Sequence, residues 1–451
     1  MILGIIADDF TGATDVASML VRAGMRTVQV IGVPEVPAQL PHGALQRPPE
    51  GAHPAWGGPA PDGATVDADA VVIALKTRNV PAAEAVRESL AALRWLQAAG
   101  MRQCYFKYCS TFDSTPAGNI GPVTEALMEA LGADFTIACP AFPENGRTVF
   151  CGHLFVGDEL LSDSGMRHHP LTPMTDANLV RVLQAQSRRR VGLLRHDVVA
   201  RGVLAVLGRI DALRADGIGI AVADAVDNDD LRSLAAACAE LPLLTAGSGL
   251  ALGLPAVYAQ RGWLAPDAHA AELDPAGGGA AVLAGSCSLA TNAQVQRWQQ
   301  AGRPAFAIDP RALARGEPVA AQALAWAQSQ GAGVPVLVYA TSPAEELKTV
   351  QAELGAMQAG ALVEDCLASI GRGLVERGVR RLVVAGGETS GAVVQALGVT
   401  RLRIGAAICP GVPWTQAEGR TDGATLHLAL KSGNFGGPDF FDEALRMSAR
   451  Q

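Results

Sequence analysis

Ile2-Leu3-Gly4-Ile5-Ile6-Ala7-Asp8-Asp9-Phe10-Thr11-Gly12-Ala13-Thr14-Asp15 opens the chain, and its reading decides the fold. Ile2–Ala7 is a short uninterrupted apolar run, the pattern of a strand buried on both faces. It ends at Asp8-Asp9, and a helical pattern follows. In an open α/β sheet, ligands bind beyond the carboxyl ends of such strands. Two adjacent carboxylates there are costly to desolvate unless they hydrogen-bond a polyol or touch a cation. One of them could cap the helix that follows. That accounts for one aspartate of two, so the turn is read as a site that also includes Thr11 and Gly12. It is not a phosphatase-type D-x-D-x-T nucleophile loop, because Phe10 stands where the second aspartate belongs.

The same rhythm repeats outward from this turn. Val28–Gly32, Ala70–Leu75, Cys104–Tyr108, Phe135–Cys139, Gly219–Ala223 and Leu241–Thr245 read as buried strands, with helical stretches such as Ala82–Ala99 and Val123–Leu131 between them. Around Leu254–Gly279 the pattern lapses and ends in Gly277-Gly278-Gly279. A second series follows: Ala281–Ala284, Pro304–Ile308, Val334–Tyr339, Arg381–Ala385, Leu402–Ile408 and Thr425–Leu430. Strands alternating with helices imply parallel sheets covered on both faces. The expected fold is therefore α/β with two domains, residues 1–255 and 280–451, joined by a linker at 256–279. Each has a mostly parallel sheet flanked by helices, and the active site is expected in the cleft between them. Residues 34–69, rich in Pro, Gly and Ala, read as a surface insertion.

Composition narrows the classes. Among 451 residues, 49% are hydrophobic and 18% charged, the balance of a globular chain. A net charge of −8 argues against nucleic acid as a partner, since binding it requires replacing phosphate counterions. Arg188-Arg189-Arg190 reads as a solvated helix end. The apolar start meets Asp8 too early for a signal peptide or membrane span. Eight cysteines without C-x-x-C or zinc spacing suit a reducing cytoplasm.

Further site candidates fall after strands. Lys76-Thr77-Arg78 follows Ala70–Leu75. Lys107 begins Lys107-Tyr108-Cys109-Ser110-Thr111-Phe112-Asp113-Ser114-Thr115, and Gly118-Asn119-Ile120-Gly121-Pro122 leads into a helix. Glycines, hydroxyls and an amide before a helix N-terminus form an anion cradle. With the three cations Lys76, Arg78 and Lys107 at two strand ends, a carboxylate ligand fits. Asn145 and Arg147, after Phe135–Cys139, could contact further oxygens. His168-His169 reads as structural or solvent-facing.

The second half holds no Walker A pattern, which excludes a P-loop enzyme. Its glycine turns are Gly285-Ser286-Cys287-Ser288, Gly386-Gly387-Glu388-Thr389-Ser390-Gly391 and Lys431-Ser432-Gly433-Asn434-Phe435-Gly436. Backbone N–H groups at such turns can hold polyphosphate without a lysine. Gly247-Ser248-Gly249 with Gly253 leaves a rival reading, an NAD(P)-dependent oxidoreductase. Glu272 and Asp274 stand at the required distance from that loop but in linker-like sequence. A non-catalytic sensor is the third class.

Taken together, A-D-D-F-T-G-A-T-D at 7–15, K-T-R at 76–78, K-Y-C-S-T-F-D-S-T at 107–115, G-N-I-G-P-V at 118–123, G-G-E-T-S-G at 386–391 and K-S-G-N-F-G at 431–436 resemble the four-carbon acid sugar kinase family. H-P-L-T-P-M-T-D and P-G-V-P-W look like its 3-oxo-tetronate kinase branch, with the D-threonate, L-threonate and D-erythronate kinases as alternatives. The resemblance implies an N-terminal acid-sugar domain, a C-terminal ATP domain and phosphorylation of the 4-hydroxyl of 3-oxo-tetronate, with ATP and Mg²⁺ as cofactors. It places ATP contacts at Ser286, Gly386, Gly387, Glu388, Thr389, Ser390, Gly433 and Gly436. Substrate contacts are expected at Thr11, Gly12, Lys76, Arg78, Lys107, Ser114, Asn119, Asn145 and Arg147. Asp8, Asp9 and Asp113 are the candidate catalytic carboxylates, and the metal ligands are left open. A sugar acid is the expected partner, with no nucleic acid or membrane, and a homodimer is an open expectation.

Overall fold

The computed structural model describes residues 1–34, 68–169, 172–331, 333–418 and 423–448. They form two compact units that meet in sequence at Ala270/Ala271.

In unit 1 the strands are β1 (Leu3–Ala7), β2 (Thr27–Ile31), β3 (Ala70–Ala74), β4 (Gln103–Lys107), β5 (Thr136–Cys139), β6 (Arg147–Phe150), β7 (His153–Val156), β8 (Glu159–Leu160), β9 (Val191–Leu194), β10 (Ile220–Ala223) and β11 (Leu243–Ala246). Eight of them form a parallel sheet in the order β2-β3-β1-β4-β11-β5-β10-β9. All five residues of β1 are buried, as the apolar run requires. The chain leaves β1 for the β2 edge, returns to β3 beside β1, and crosses to β4 on the other side. Such a reversal opens a crevice at the carboxyl ends of the strands. The register sets Ala7 level with Ala74 and Lys107, Lys107 with Ala246, and Ala246 with Cys139. Five neighbouring strands therefore end together.

Three differences from the sequence reading concern unit 1. The Asn145–Arg147 stretch leads into a small antiparallel sheet, β6-β7-β8, whose alternation is too short to stand out. Of the 34–69 insertion, residues 35–67 lie outside the described residues, but Asp69 belongs to the fold. Its carbonyl accepts from Ile2 N (2.7 Å) and Leu3 N (3.2 Å), and its carboxylate accepts from Arg26 N (3.1 Å) and Nε (3.2 Å). The 256–279 linker begins inside a helix, Leu254–Gln260, with Pro255 in its first turn, where the missing N–H costs nothing.

In unit 2 the strands are β12 (Gly279–Ala284), β13 (Ala305–Ala307), β14 (Val336–Tyr339), β15 (Val379–Ala385), β16 (Arg401–Cys409), β17 (Val412–Glu418) and β18 (His427–Lys431). Their order is β13-β14-β12-β15-β18-β17-β16. The first five are parallel, and β17 pairs antiparallel with both β18 and β16. The sequence reading missed β17 because Pro413 and the adjacent polar residues Thr415 and Gln416 break its apolar run. It serves as a hairpin arm, and Trp414 is buried in the core beside Phe440 and Phe441. At the centre, Ala284, Ala385 and Lys431 stand level. All eight cysteines are free, and Cys104, Cys139, Cys238 and Cys366 are buried.

Candidate active site

The first cluster stands on the ends of β3, β1, β4, β11 and β5. Asp9 is extended (φ −149°) and caps the helix Phe10–Arg22, its Oδ1 accepting from Gly12 N at 2.9 Å and its Oδ2 from Thr11 Oγ1 at 3.0 Å. Asp9 is thus both the cap of this helix and a member of the carboxylate cluster. Arg78 joins the carboxylates. Its Nε and Nη2 donate to both oxygens of Asp8 at 3.0 and 2.8 Å, and Nη2 lies 2.9 Å from Asp9 Oδ1. Such fork geometry is the strong form of a charge-assisted bond. Arg78 is itself fixed by its backbone N–H, which donates to the Asp8 carbonyl at 3.2 Å. Asp113 Oδ2 lies 3.9 Å from Arg78 Nη1, and its Oδ1 accepts from Thr111 Oγ1. The turn that presents it places Phe112 at φ +51°, a conformation rare for a bulky residue. Full burial of Phe112 against Tyr108, ring centroids 5.4 Å apart, holds it there.

Burial raises Asp8 above the usual carboxylate range, with Arg78 opposing. Burial acts on Asp9 too, but Arg78, Lys107 and the two hydrogen bonds outweigh it, and Asp9 is held low. Lys107 is 2% exposed. Among the described residues its ammonium makes no hydrogen bond or ion pair. A Cβ at Gly12 would stand 2.6 Å from Lys107 Nζ, so only glycine leaves the ammonium its place.

Sequence reasoning passed over Asp15, whose only signal was its position one helical turn after Thr11. It is 5% exposed. Its Oδ2 accepts from Ser248 Oγ at 2.5 Å, and its Oδ1 is buried without a hydrogen-bond partner among the described residues. Burial pushes its pKa up to about 6 against the pull of Lys107, Ser248 and Arg147. Asn145 Nδ2 and Arg147 Nε are likewise buried without hydrogen-bond partners among the described residues, while Arg147 Nη1 donates to the Asn145 carbonyl. Buried polar groups are nearly always paired. Among the described residues, unit 1 thus holds an ammonium, two N–H donors and a carboxyl oxygen without a hydrogen-bond partner, a set complementary to a small anion bearing hydroxyls.

Asp15 gives a stability test. Unfolded, it ionises near 3.8; folded, near 6. Between those values the unfolded chain gives up a proton that the folded chain keeps, so stability falls as pH rises through that window. At about 1.4 kcal/mol per pH unit, the displacement amounts to roughly 3 kcal/mol. Asp15→Asn should therefore be more stable than the parent at pH 7, and the advantage should vanish below pH 4. Urea unfolding across pH 4–8 measures it; an advantage that does not change with pH would contradict the assignment.

Other expected contacts are placed differently. Lys76 is exposed. Asn119 Nδ2 donates to the carbonyls of Thr77 (2.8 Å), Arg78 (3.2 Å) and Val80 (2.9 Å), so it holds the loop that carries Arg78. Ser114 Oγ accepts from Gln186 Nε2 at 2.7 Å and is 3% exposed. Both shape the site from behind. His169 Nδ1 accepts from Thr172 N (3.1 Å), a structural use; Pro170 and Leu171 lie outside the described residues. Gly247, the start of the rival dinucleotide loop, is packed on backbone, where a Cβ would stand 2.8 Å from the Pro140 carbonyl oxygen. Close loop packing accounts for that glycine.

Unit 2 carries a cleft of about 1290 Å³, lined by Gly285–Cys287, Asn292, Thr341 and Gly386–Thr389 among others. Gly386 has φ +134°, and a Cβ there would stand 2.8 Å from Thr389 Oγ1 and 3.3 Å from Ser286 N. Helix Gly387–Ala396 starts at this turn, with Ser390 Oγ buried and without a hydrogen-bond partner among the described residues. Gly433 packs against Ser286 and Ser288, and Gly436 (φ +78°) is held through its carbonyl by Gln294 Nε2 at 3.0 Å. Gly433 and Gly436 lie outside the lining of the cleft, but Gly433 supports Ser286, which lines it.

Comparison with known proteins follows the same division. Residues 3–254 match the family model of a sugar-binding N-terminal domain, and residues 281–441 that of a nucleotide-binding C-terminal domain. A 3-oxo-tetronate kinase of Cupriavidus necator is 63% identical over 99% of this chain and 96% of its own, and one of Pseudomonas fluorescens is 62% identical over 98% and 96%. A solved structure from Salmonella typhimurium LT2, provisionally described as a tRNA synthase, is 44% identical with a TM-score of 0.82, covering 99% of both chains. On its matched domains and its near-full-length relatives, the chain belongs to the four-carbon acid sugar kinase family and is most like its 3-oxo-tetronate kinases.

Proposed function

We propose that this chain is an ATP-dependent kinase that transfers a phosphoryl group to the 4-hydroxyl of 3-oxo-tetronate, giving 3-oxo-tetronate 4-phosphate. The observation that carries the reading is its identity of 59–63% with four curated 3-oxo-tetronate kinases across nearly the whole chain. The tRNA synthase description is not carried over. A curated relative from Salmonella typhimurium LT2, 45% identical, is a 3-oxo-tetronate kinase, and a net charge of −8 argues against nucleic acid as a partner.

The residues supply a mechanism. Lys107 receives the carboxylate of the acid, and Asn145 and Arg147 take its oxygens. Asp8 and Asp9 are committed to Arg78 and to the helix cap, which suits them to holding the arginine. Asp113 has one oxygen whose nearest cation is 3.9 Å away, which leaves it free to accept the proton of the attacking hydroxyl. A positioned base contributes about 10²–10⁴-fold. Across unit 2, the turns at Ser286, Gly386–Ser390 and Gly433 fit ATP, which supplies the transferred phosphoryl group. The described residues contain no group of three or more His, Cys, Asp or Glu able to hold a metal. Mg²⁺ in kinases is bound largely through substrate phosphates and water, so it fits here as a companion of the nucleotide. Free cysteines suit the cytoplasm, where we place the enzyme; no described helix is long and apolar enough to cross a membrane.

The test is the product: ³¹P NMR of a reaction with 3-oxo-tetronate should show a single phosphate ester at C4. A phosphate at another carbon, or none from folded protein, refutes the assignment. Gly386→Ala probes the nucleotide side. A positive φ and the Thr389 contact make it strained by about 1–3 kcal/mol. The KM for ATP should rise at least tenfold, while the KM for the acid stays within about twofold.

A further inference from the structure

We propose that Lys431 is a positioning residue for the nucleotide: it ties together the three strand-end loops of unit 2, and its buried charge takes the polyphosphate as counter-ion. The inference rests on the nucleotide reading above.

Lys431 ends β18 and is fully buried. Its carbonyl accepts from Gly386 N at 2.8 Å, fixing the turn after β15. Its ammonium donates to Gly433 O at 2.8 Å and Ser432 O at 3.0 Å in its own loop, and to Thr291 Oγ1 at 3.0 Å in the helix that follows the β12 loop. The Gly433 carbonyl also accepts from Ser288 Oγ (2.6 Å) and Thr291 Oγ1 (2.9 Å). One residue thus reaches the loops after β12, β15 and β18, and three acceptors match the three N–H bonds of an ammonium.

No carboxylate pairs with this ammonium among the described residues. The titratable group that bears on it is the Cys409 thiol of β16; Ser288, Thr291 and Ser432 are neutral, and the Phe440 ring lies 6.0 Å away. A buried charge without a counter-charge is expensive, and burial pushes the Lys431 pKa down to about 7. The loops it carries are those that offer backbone N–H groups to an anion. An anion bound there supplies the missing charge.

The sign of the pH effect follows. Below pH 7 the ammonium is already protonated. Above it, the free protein must take up a proton to present the counter-charge, so nucleotide affinity falls as pH rises, by up to about tenfold per pH unit. A lysine that served only as a strut would leave affinity flat with pH.

The experiment is calorimetric titration of ADP into the full chain at about pH 7.5 and 8.5, above the ionisation of the nucleotide's own phosphates. Buffers of different ionisation enthalpy report proton uptake, and Lys431→Met is run beside the parent. The parent should bind ADP about five- to tenfold more weakly at the higher pH, with proton uptake. The variant should bind at least about tenfold more weakly at pH 7.5, show no uptake, and keep its KM for the acid within about twofold. Parent binding that neither changes with pH nor takes up a proton overturns the inference, as does a variant that binds like the parent. The parent measurement decides even if the variant fails to fold. Absence of ADP binding by folded parent at either pH is a different result, and overturns the nucleotide reading itself.

Discussion

Arg78→Met should lower the stability of the chain by about 3–5 kcal/mol, the cost of removing one partner from a buried ion pair, and should leave almost no activity. One guanidinium faces Asp8 in a bidentate fork, touches Asp9 at 2.9 Å and approaches Asp113 at 3.9 Å. Without it, three neighbouring carboxylates face one another with only Lys107 near. They must take up protons or expel one another into solvent. The pH signature distinguishes this from ordinary loss of packing. In the variant the pKa values of Asp8 and Asp9, which Arg78 lowers, rise above their unfolded values, so stability returns as pH falls toward 5 and is lost as pH rises. Arg78→Lys restores a charge but not the fork, and should recover part of the stability with little activity. Urea unfolding at pH 5 and pH 8 checks both. A methionine variant as stable as the parent at pH 8 would remove Arg78 from this role.

Lys107→Met should do the reverse: activity is lost while the fold holds. The lysine is 2% exposed, its ammonium is unpaired among the described residues, and methionine matches most of its length without the buried charge. Truncating one partner of a buried charge pair with a ligand costs about 2–5 kcal/mol, roughly 30- to 5,000-fold in kcat/KM. The loss should fall on the acid, with the KM for ATP nearly unchanged. Steady-state kinetics with each substrate varied in turn provide the check. A variant with the parent's KM for the acid would mean that Lys107 does not receive the carboxylate.

Much of this site was legible because its residues follow strands. Apolar runs end where the sheet ends, and parallel register brings those ends level, so Asp8, Arg78 and Lys107, which end or follow them, can be grouped from the sequence alone. The glycine turns at Gly285, Gly386 and Gly433 were legible for the same reason. Division of labour was not. Nothing in the sequence separates Asn119, spent on three loop carbonyls, from a residue that meets ligand, because both are asparagines in a polar turn. Asp15 was invisible as a site residue because its partner Ser248 lies 233 positions away, and Lys431 because its burial depends on three separate loops. The antiparallel arm Val412–Glu418 was missed because Pro413 and the polar pair Thr415-Gln416 break the continuous apolar run that marked the others.

The most direct test of the central claim is ADP release by the purified chain with ATP and Mg²⁺, offering 3-oxo-tetronate, D-threonate, L-threonate and D-erythronate separately. A site built to hydrogen-bond one oxidation state at C3 discriminates by up to about 10⁴–10⁵ when buried polar groups are left unpaired. Turnover with the oxo acid, and kcat/KM for each hydroxy acid lower by orders of magnitude, is the predicted result. Preferred turnover of a hydroxy acid, or none with any of the four, would contradict it.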